Sequence, residues 1–229
     1  MLTKIKSNIP NTITCLSLVC GCMAIAASFH YNELFHGLPG YQWAFILIGI
    51  AAVCDFCDGA AARALQAYST LGKELDSLSD LVSFGVAPGM LVFNTMTAYG
   101  TSGIAPFAAL LIPVMGELRL ARFNIDDRQT TSFLGLPIPA NALFWIGAVA
   151  AANSYGYPAD WIAVVTVVVI SSLMVDMRLK MFSLKFKNFN IKENLLRYII
   201  IVAAIVLVTA CGIPGFALTI ALYIVLSLL

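Results

Sequence analysis

Apolar residues run along this chain in blocks long enough to cross a bilayer, and polar residues collect between the blocks. A spanning helix needs roughly 20 apolar residues, with about 17–25 usual. On that scale the pattern predicts helices over 12–29, 41–63, 73–97, 103–123, 135–152, 160–177, 195–210 and 213–229. The LGLPIPA at the head of the fifth block predicts a late or irregular start, because proline drives the preceding residue away from helical backbone. The expected fold class is all-α: a polytopic membrane protein with about eight transmembrane helices. No linker separates two cores, so residues 1–229 read as a single transmembrane domain.

Charge supports this trace and orients it. Only 11% of the residues are charged and 60% are hydrophobic, whereas soluble domains carry about 25% charged residues. A soluble helical domain is thereby set aside. All 13 lysines and arginines fall on one side of the eight-span trace, with Glu33 and Asp160 the charges opposite. Basic residues are retained in the cytoplasm, so both termini are expected inside. The N-terminal block follows Lys4 and Lys6 like a signal peptide, but it lacks a convincing cleavage site and reads as retained. The stretch MRLKMFSLKFKNFNIKENLLR, residues 177–197, mixes basic and aromatic side chains. Beside two apolar blocks it is expected to rest on anionic lipid headgroups, and no nucleic acid is expected as a partner. The Cys54-x-x-Cys57 pair has no second pair to complete a metal site and reads as packing.

Against this background the stretch DFCDGAAARALQAYSTLGKELDSLSD, residues 55–80, stands out. Asp55 and Asp58 are three apart and share one face of the second helix, while Asp76 and Asp80 are four apart and share one face of the third. The two helices are antiparallel neighbours, so both pairs can meet near the cytoplasmic end. Gly59, Ala60, Ala61, Ala62, Ser77 and Ser79 around them permit close approach. Four carboxylates meeting there would repel, and Arg63 offers one positive charge. Two divalent metal ions would neutralise them, and oxygen ligands favour Mg²⁺ or Mn²⁺ over zinc. Such a pair of ions suits phosphate chemistry. A solvated acidic loop or simple helix caps are the structural alternatives.

The full pattern Asp55-x2-Asp58-Gly59-x2-Ala62-Arg63-x8-Gly72-x3-Asp76-x3-Asp80 resembles the CDP-alcohol phosphatidyltransferase signature at every fixed position. That resemblance implies a core of six transmembrane helices around a cytoplasm-facing polar site, in a homodimer. It implies that Asp55, Asp58 and Asp76 bind the metals, and that Asp80 both contacts a metal and acts as general base. It also implies that Gly59, Ala62, Arg63 and Gly72 shape or contact the CDP moiety of a CDP-diacylglycerol substrate.

Three further stretches are similar to the serine-using branch of the family. IPNTIT places Asn11 and Thr14 where they could meet the cytidine or a phosphate, or could simply cap the first helix. GELRLARFN places Arg119 and Arg122 on neighbouring turns, as acceptor or phosphate ligands or as plain inside-loop charges. FLGLPIPAN is the third. The resemblance then implies transfer of a phosphatidyl group to L-serine with release of CMP, in a bacterial or archaeal cell membrane. The same chemistry with glycerol 3-phosphate, an inositol phosphate or choline is the nearest alternative. A cation transporter using the acidic cluster is a more distant one, and would move ions without releasing CMP. His30 and His36 fall on the opposite side from the aspartates and are expected to take no catalytic part.

Overall fold

A computed structural model describes residues 2–126, 132–183, 190 and 194–228 of the chain. Helix α1 (Leu2–Phe29) leads through a two-residue hairpin, β1 (Leu34–Phe35) and β2 (Leu38–Pro39), into α2 (Gly40–Leu65). His36 and Gly37 both take positive φ in the turn (50° and 84°), the backbone that twists a tight hairpin correctly. Next come α3 (Thr70–Asp80), a wide π-helical turn (Leu81–Val86) and α4 (Ala87–Ala98), which together form one continuous helix. A 3₁₀ segment (Ala105–Leu110) precedes α5 (Leu111–Ile125). Strand β3 (Ser132–Leu134) leads to α6 (Ile138–Tyr155) and α7 (Asp160–Val175). Strand β4 (Lys180–Phe182) pairs antiparallel with β3, Phe133 opposite Met181, before α8 (Leu195–Cys211) and α9 (Gly215–Leu228).

The fold is all-α in its main elements, as expected, but the span count is not. Among the described residues, three helices are long and apolar enough to cross a membrane: Asn8–Phe29, Gly40–Leu65 and Thr70–Ala98. The expectation of about eight transmembrane helices is therefore corrected to three. The physical reason lies in where the remaining apolar blocks break. The block at 103–123 divides after Leu110 into the 3₁₀ segment, which opens with Pro106 in its first turn, and a 15-residue α5. The block at 135–152 cannot be helical at Gly135, whose φ is +79°, and starts only after Pro137. Its helix, α6, is then diluted by Asn141 and Asn153. Helices α7, α8 and α9 have 16, 17 and 14 residues. At 1.5 Å per residue they extend roughly 21–26 Å, short of the ~30 Å hydrocarbon layer.

The protein is nonetheless membrane-embedded in character. Val53, Phe56, Val202 and Ile205 are more than half exposed on the outer faces of α2 and α8, an arrangement that suits lipid rather than water. Inside, α6 forms much of the core through Ile138, Phe144, Trp145, Ile146 and Val149. Small residues set the closest approaches. A Cβ at Gly147 would stand 2.2 Å from the Ala217 backbone nitrogen, and one at Gly21 would stand 2.6 Å from Ser83 Oγ.

Helix α1 is tied to its neighbours by hydroxyls. Ser17 donates to the Ala51 carbonyl (3.1 Å), Ser83 to the Ser17 carbonyl (3.0 Å) and Ser79 to the Thr14 carbonyl (3.3 Å). These bonds hold α2 and the α3 segment against one face of α1. The wide turn after Asp80 has its own cause. Pro88 has no N–H for the Phe84 carbonyl and its ring crowds that oxygen, so the turn ahead of it relaxes and the Ala87 N–H reaches back to the Val82 carbonyl.

Candidate active site

The end of α2 and the start of α3 carry the signature, and local chemistry sets their approach. Helix α2 stops because Gln66 adopts left-handed backbone (φ 51°, ψ 40°), and the Ala67 N–H closes onto the Ala62 carbonyl at 2.9 Å. Ser69 then caps α3, its hydroxyl accepting the Gly72 N–H at 2.9 Å. A four-residue bridge, Gln66 to Ser69, thus turns the chain from α2 into α3, which packs on α1.

The carboxylates of Asp55, Asp76 and Asp80 converge, with oxygens that all lie within 4.8 Å of one another. Asp55 comes within hydrogen-bonding range of both Asp76 and Asp80. Ionised carboxylates make such contacts only around a proton or a cation. Among the described residues, no lysine or arginine forms an ion pair with them. The oxygens' separation is near the ~3–4.2 Å between neighbouring and opposite ligands of an octahedral ion bound at about 2.1 Å. The donor set is oxygen alone, so these three residues can hold a metal ion, and a hard divalent cation fits them.

Asp58 behaves differently. It is buried at 5% exposure, and Thr14 Oγ1 donates to its Oδ2 in a short hydrogen bond. It stands one turn from Asp55, close enough to interact electrostatically with Asp55, Asp76 and Asp80. Thr14 Oγ1 also lies 3.1 Å from the Pro10 carbonyl, so its one proton is shared between the two acceptors. Since α1 begins at Leu2, Asn11 and Thr14 lie inside the helix, and neither caps it.

Beside the aspartates opens a cleft of about 220 Å³ lined by Pro10, Asn11, Thr14, Asp58, Gly59, Ala62, Ala67, Tyr68, Ser69, Gly72, Lys73 and Asp76. Its glycines are informative. A Cβ at Gly59 would meet only Arg63 of its own helix, at 3.4 Å, so that backbone faces open space. A Cβ at Gly72 would stand 3.1 Å from Asn11 Oδ1, which brings α1 and α3 together there. Arg63 is exposed next to Gly59.

The two arginines of α5 part company. Arg119 is buried at 6% exposure with its Nε unpaired, and its charge lies within reach of Asp80 and Tyr223. Arg122 is exposed and donates through Nη1 to the Val175 carbonyl at 2.9 Å, at the end of α7. Neither lines the cleft. Arg128, and residues 184–189 and 191–193 of the stretch expected to bind headgroups, lie outside the described residues.

Residues 7–171 match the CDP-alcohol phosphatidyltransferase family. The chain belongs to that family. It is similar to the CDP-diacylglycerol--serine O-phosphatidyltransferase of Bacillus subtilis (strain 168), 40% identical over 131 residues, or 57% of this chain and 69% of that protein. It is 33% identical over 214 residues to the protein of the same name from Methanocaldococcus jannaschii, covering 93% of this chain and 89% of that one. Against the Mycobacterium leprae protein of that name the identity is 35% over 178 residues, 73% of this chain but 56% of the relative. Family membership supports transferase activity in phospholipid synthesis.

Sequence reasoning missed several cleft residues: Pro10, Ala67, Tyr68, Ser69 and Lys73. Ser69 could have been found, since a serine directly ahead of a helical stretch is an N-cap signal. The others carry no periodic signal.

Proposed function

We propose that this protein transfers the phosphatidyl group of CDP-diacylglycerol to L-serine, forming phosphatidylserine and releasing CMP. The observation that carries this reading is the convergence of Asp55, Asp76 and Asp80 beside a cleft lined by the small residues of the same signature. The printed names of the relatives support serine as the acceptor.

Two divalent ions, Mg²⁺ or Mn²⁺, held by Asp55, Asp58, Asp76 and Asp80, would supply positive charge to the pyrophosphate and to the attacking and leaving oxygens. The remaining steps belong to the chain's own groups. Gly59 and Ala62 leave room for the headgroup against α2, and Arg63 offers a planar donor fork to a phosphate. Arg119, buried with Nε unpaired, suits the serine carboxylate. Arg122 is engaged by the Val175 carbonyl and ties α5 to the end of α7. Asp80 takes the proton of the serine hydroxyl. The serine oxygen then bonds to the lipid-side phosphorus while the bond from that phosphorus to CMP breaks, and CMP leaves.

The cleft faces the cytoplasm in this proposal. Arg63 and Lys73 flank it, in keeping with retention of basic residues inside. A cysteine introduced at Lys4 should resist an impermeant thiol reagent in intact cells, and one at Asn32 should react; the reverse pattern removes the orientation. Homodimer formation belongs to the same proposal, and cross-linking in native membranes tests it.

The deciding assay offers purified protein CDP-diacylglycerol, a divalent metal, and L-serine, glycerol 3-phosphate, an inositol phosphate or choline at equal concentrations. CMP release with phosphatidylserine as product is expected. Preference for another acceptor would defeat the serine assignment alone. Metal flux without CMP release would defeat the transferase reading.

A further inference from the structure

The cleft has two chemically different ends. Asp58 and Asp76 stand at one, and the connection between α2 and α3 forms the other. Asp58 precedes Leu65, the last residue of α2, by seven positions, about 10 Å along the axis at 1.5 Å per residue. Phosphates drawn to the acidic end by bound cations leave the nucleoside to lie along that distance, over Gly59 and Ala62, toward Tyr68.

Tyr68 is unusual for its place. The residue lines the cleft and yet is 74% exposed, so much of its aromatic ring is left uncovered. Its hydroxyl has no hydrogen-bond partner among the described residues. The backbone on both sides is held. Gln66 sits in left-handed conformation with Ala67 bonded back to Ala62, and Ser69 caps α3 through the Gly72 N–H. A non-glycine residue keeps that conformation only where its surroundings hold it there, so the bridge is a fixed mount and not a slack loop.

We propose that Tyr68 is the platform on which the pyrimidine ring of the CDP headgroup stacks. This rests on the reading of the cleft as the CDP-diacylglycerol site and adds to it a residue outside the family signature's fixed positions. An aromatic face stacks on any flat base while its edges stay free for hydrogen bonds. The pyrophosphate then binds at the aspartates and the base at Tyr68, which measures the length of the headgroup between two fixed points.

The test measures equilibrium binding to the full-length protein in detergent with Mg²⁺ present, using CMP and inorganic pyrophosphate as probes. Tyr68→Ala should weaken CMP binding ~5–150-fold, the range found when a stacking aromatic is truncated, and leave pyrophosphate binding unchanged. Tyr68→Trp should bind CMP at least as well as the wild type, and its indole fluorescence should change when CMP is added. Tyr68→Ala should also raise the KM for CDP-diacylglycerol while kcat and the KM for serine stay put. Equal CMP affinity in wild type and Tyr68→Ala would overturn the platform, leaving Tyr68 as an interfacial anchor. An equal loss of CMP and pyrophosphate would overturn it as well, because the effect would not be on the base. Failure of the wild type to bind either probe would overturn the reading of the cleft itself, and the platform with it.

Discussion

The two ends of the helix bundle handle polar groups in opposite ways. At the end away from the signature, donors meet acceptors. Thr101 Oγ1 donates to Asp160 Oδ1 at 2.6 Å and lies 3.0 Å from the Tyr157 hydroxyl. Asn153 donates to the Tyr31 hydroxyl at 2.7 Å, Tyr99 donates to the Ala152 carbonyl at 3.2 Å, and Tyr99 stacks on Tyr157 with centroids 4.9 Å apart. At the signature end, three carboxylates face one another, and among the described residues none forms an ion pair with a lysine or arginine, the buried Arg119 reaching Asp80 only through its charge. The first arrangement is complete in itself, and each bond there is worth about 1 kcal/mol net. The second is complete only with something added. Gathering acceptors without donors costs free energy, and the fold sustains it through the α1 hydroxyl bonds and the Ser69 cap. Polar groups that a protein leaves unreconciled mark where its chemistry is done.

Removing what the acidic end requires should have the largest effect. Chelation with EDTA should bring CMP release to background, with Mg²⁺ or Mn²⁺ restoring it; full activity in metal-free protein would erase the contrast between the two ends. Asp80→Asn should come next, lowering turnover by ~10²–10⁴-fold for the loss of proton transfer. Single-turnover rates in folded protein would check it, and near-normal chemistry would remove Asp80 as the base. Thr14→Val takes the donor from Asp58 without touching the other three aspartates. Such a loss behind a metal ligand typically costs about 10–100-fold in metal affinity. The Mg²⁺ concentration for half-maximal rate should rise accordingly, and Thr14→Ser should restore it.

The self-satisfied end should answer in stability alone. Thr101→Val should lower unfolding free energy in detergent by about 1 kcal/mol with kcat and both KM values unchanged; a fall in kcat would mean that the ends are coupled. The smallest effect concerns Tyr31, whose hydroxyl burial pushes up to about 12. A raised value means the native state holds that proton more tightly than the unfolded chain. The contribution is therefore whole below pH 10 and is lost as pH climbs from about 10 toward about 12. Thermal unfolding between pH 9 and 12 should decline less steeply in Tyr31→Phe than in the wild type.

The same division explains what could be read from the sequence. Helical spacing was enough to put Asp55 with Asp58, and Asp76 with Asp80, on shared faces, because those relations span one turn. The bond from Thr14 to Asp58 joins residues 44 apart, and no local pattern announces it. Arg122 looked like a twin of Arg119, yet its guanidinium ends on a carbonyl of α7, a fact of packing between distant segments. The span count failed for a related reason. Hydropathy sums side chains and is indifferent to backbone, so it ran through the 3₁₀ segment at Pro106 and the positive φ of Gly135 as if both were helix. Tyr68 escaped notice because a bridge between helices has no period from which a cleft-lining position can be read.

The wide turn after Asp80 sets a phase. Each residue of an α-helix advances about 100° around the axis, so a turn that takes in an extra residue shifts everything beyond it by roughly that angle. Upstream, Asp76 and Asp80 face the aspartates of α2; downstream, Leu91 and Met96 are fully buried in the core. One rigid helix could be rotated to suit either half, and the π turn lets it suit both. The aspartates are thus clocked against the interior by Pro88, eight residues beyond Asp80. A helix rewound through that point would keep every residue of the signature and aim two of them the wrong way.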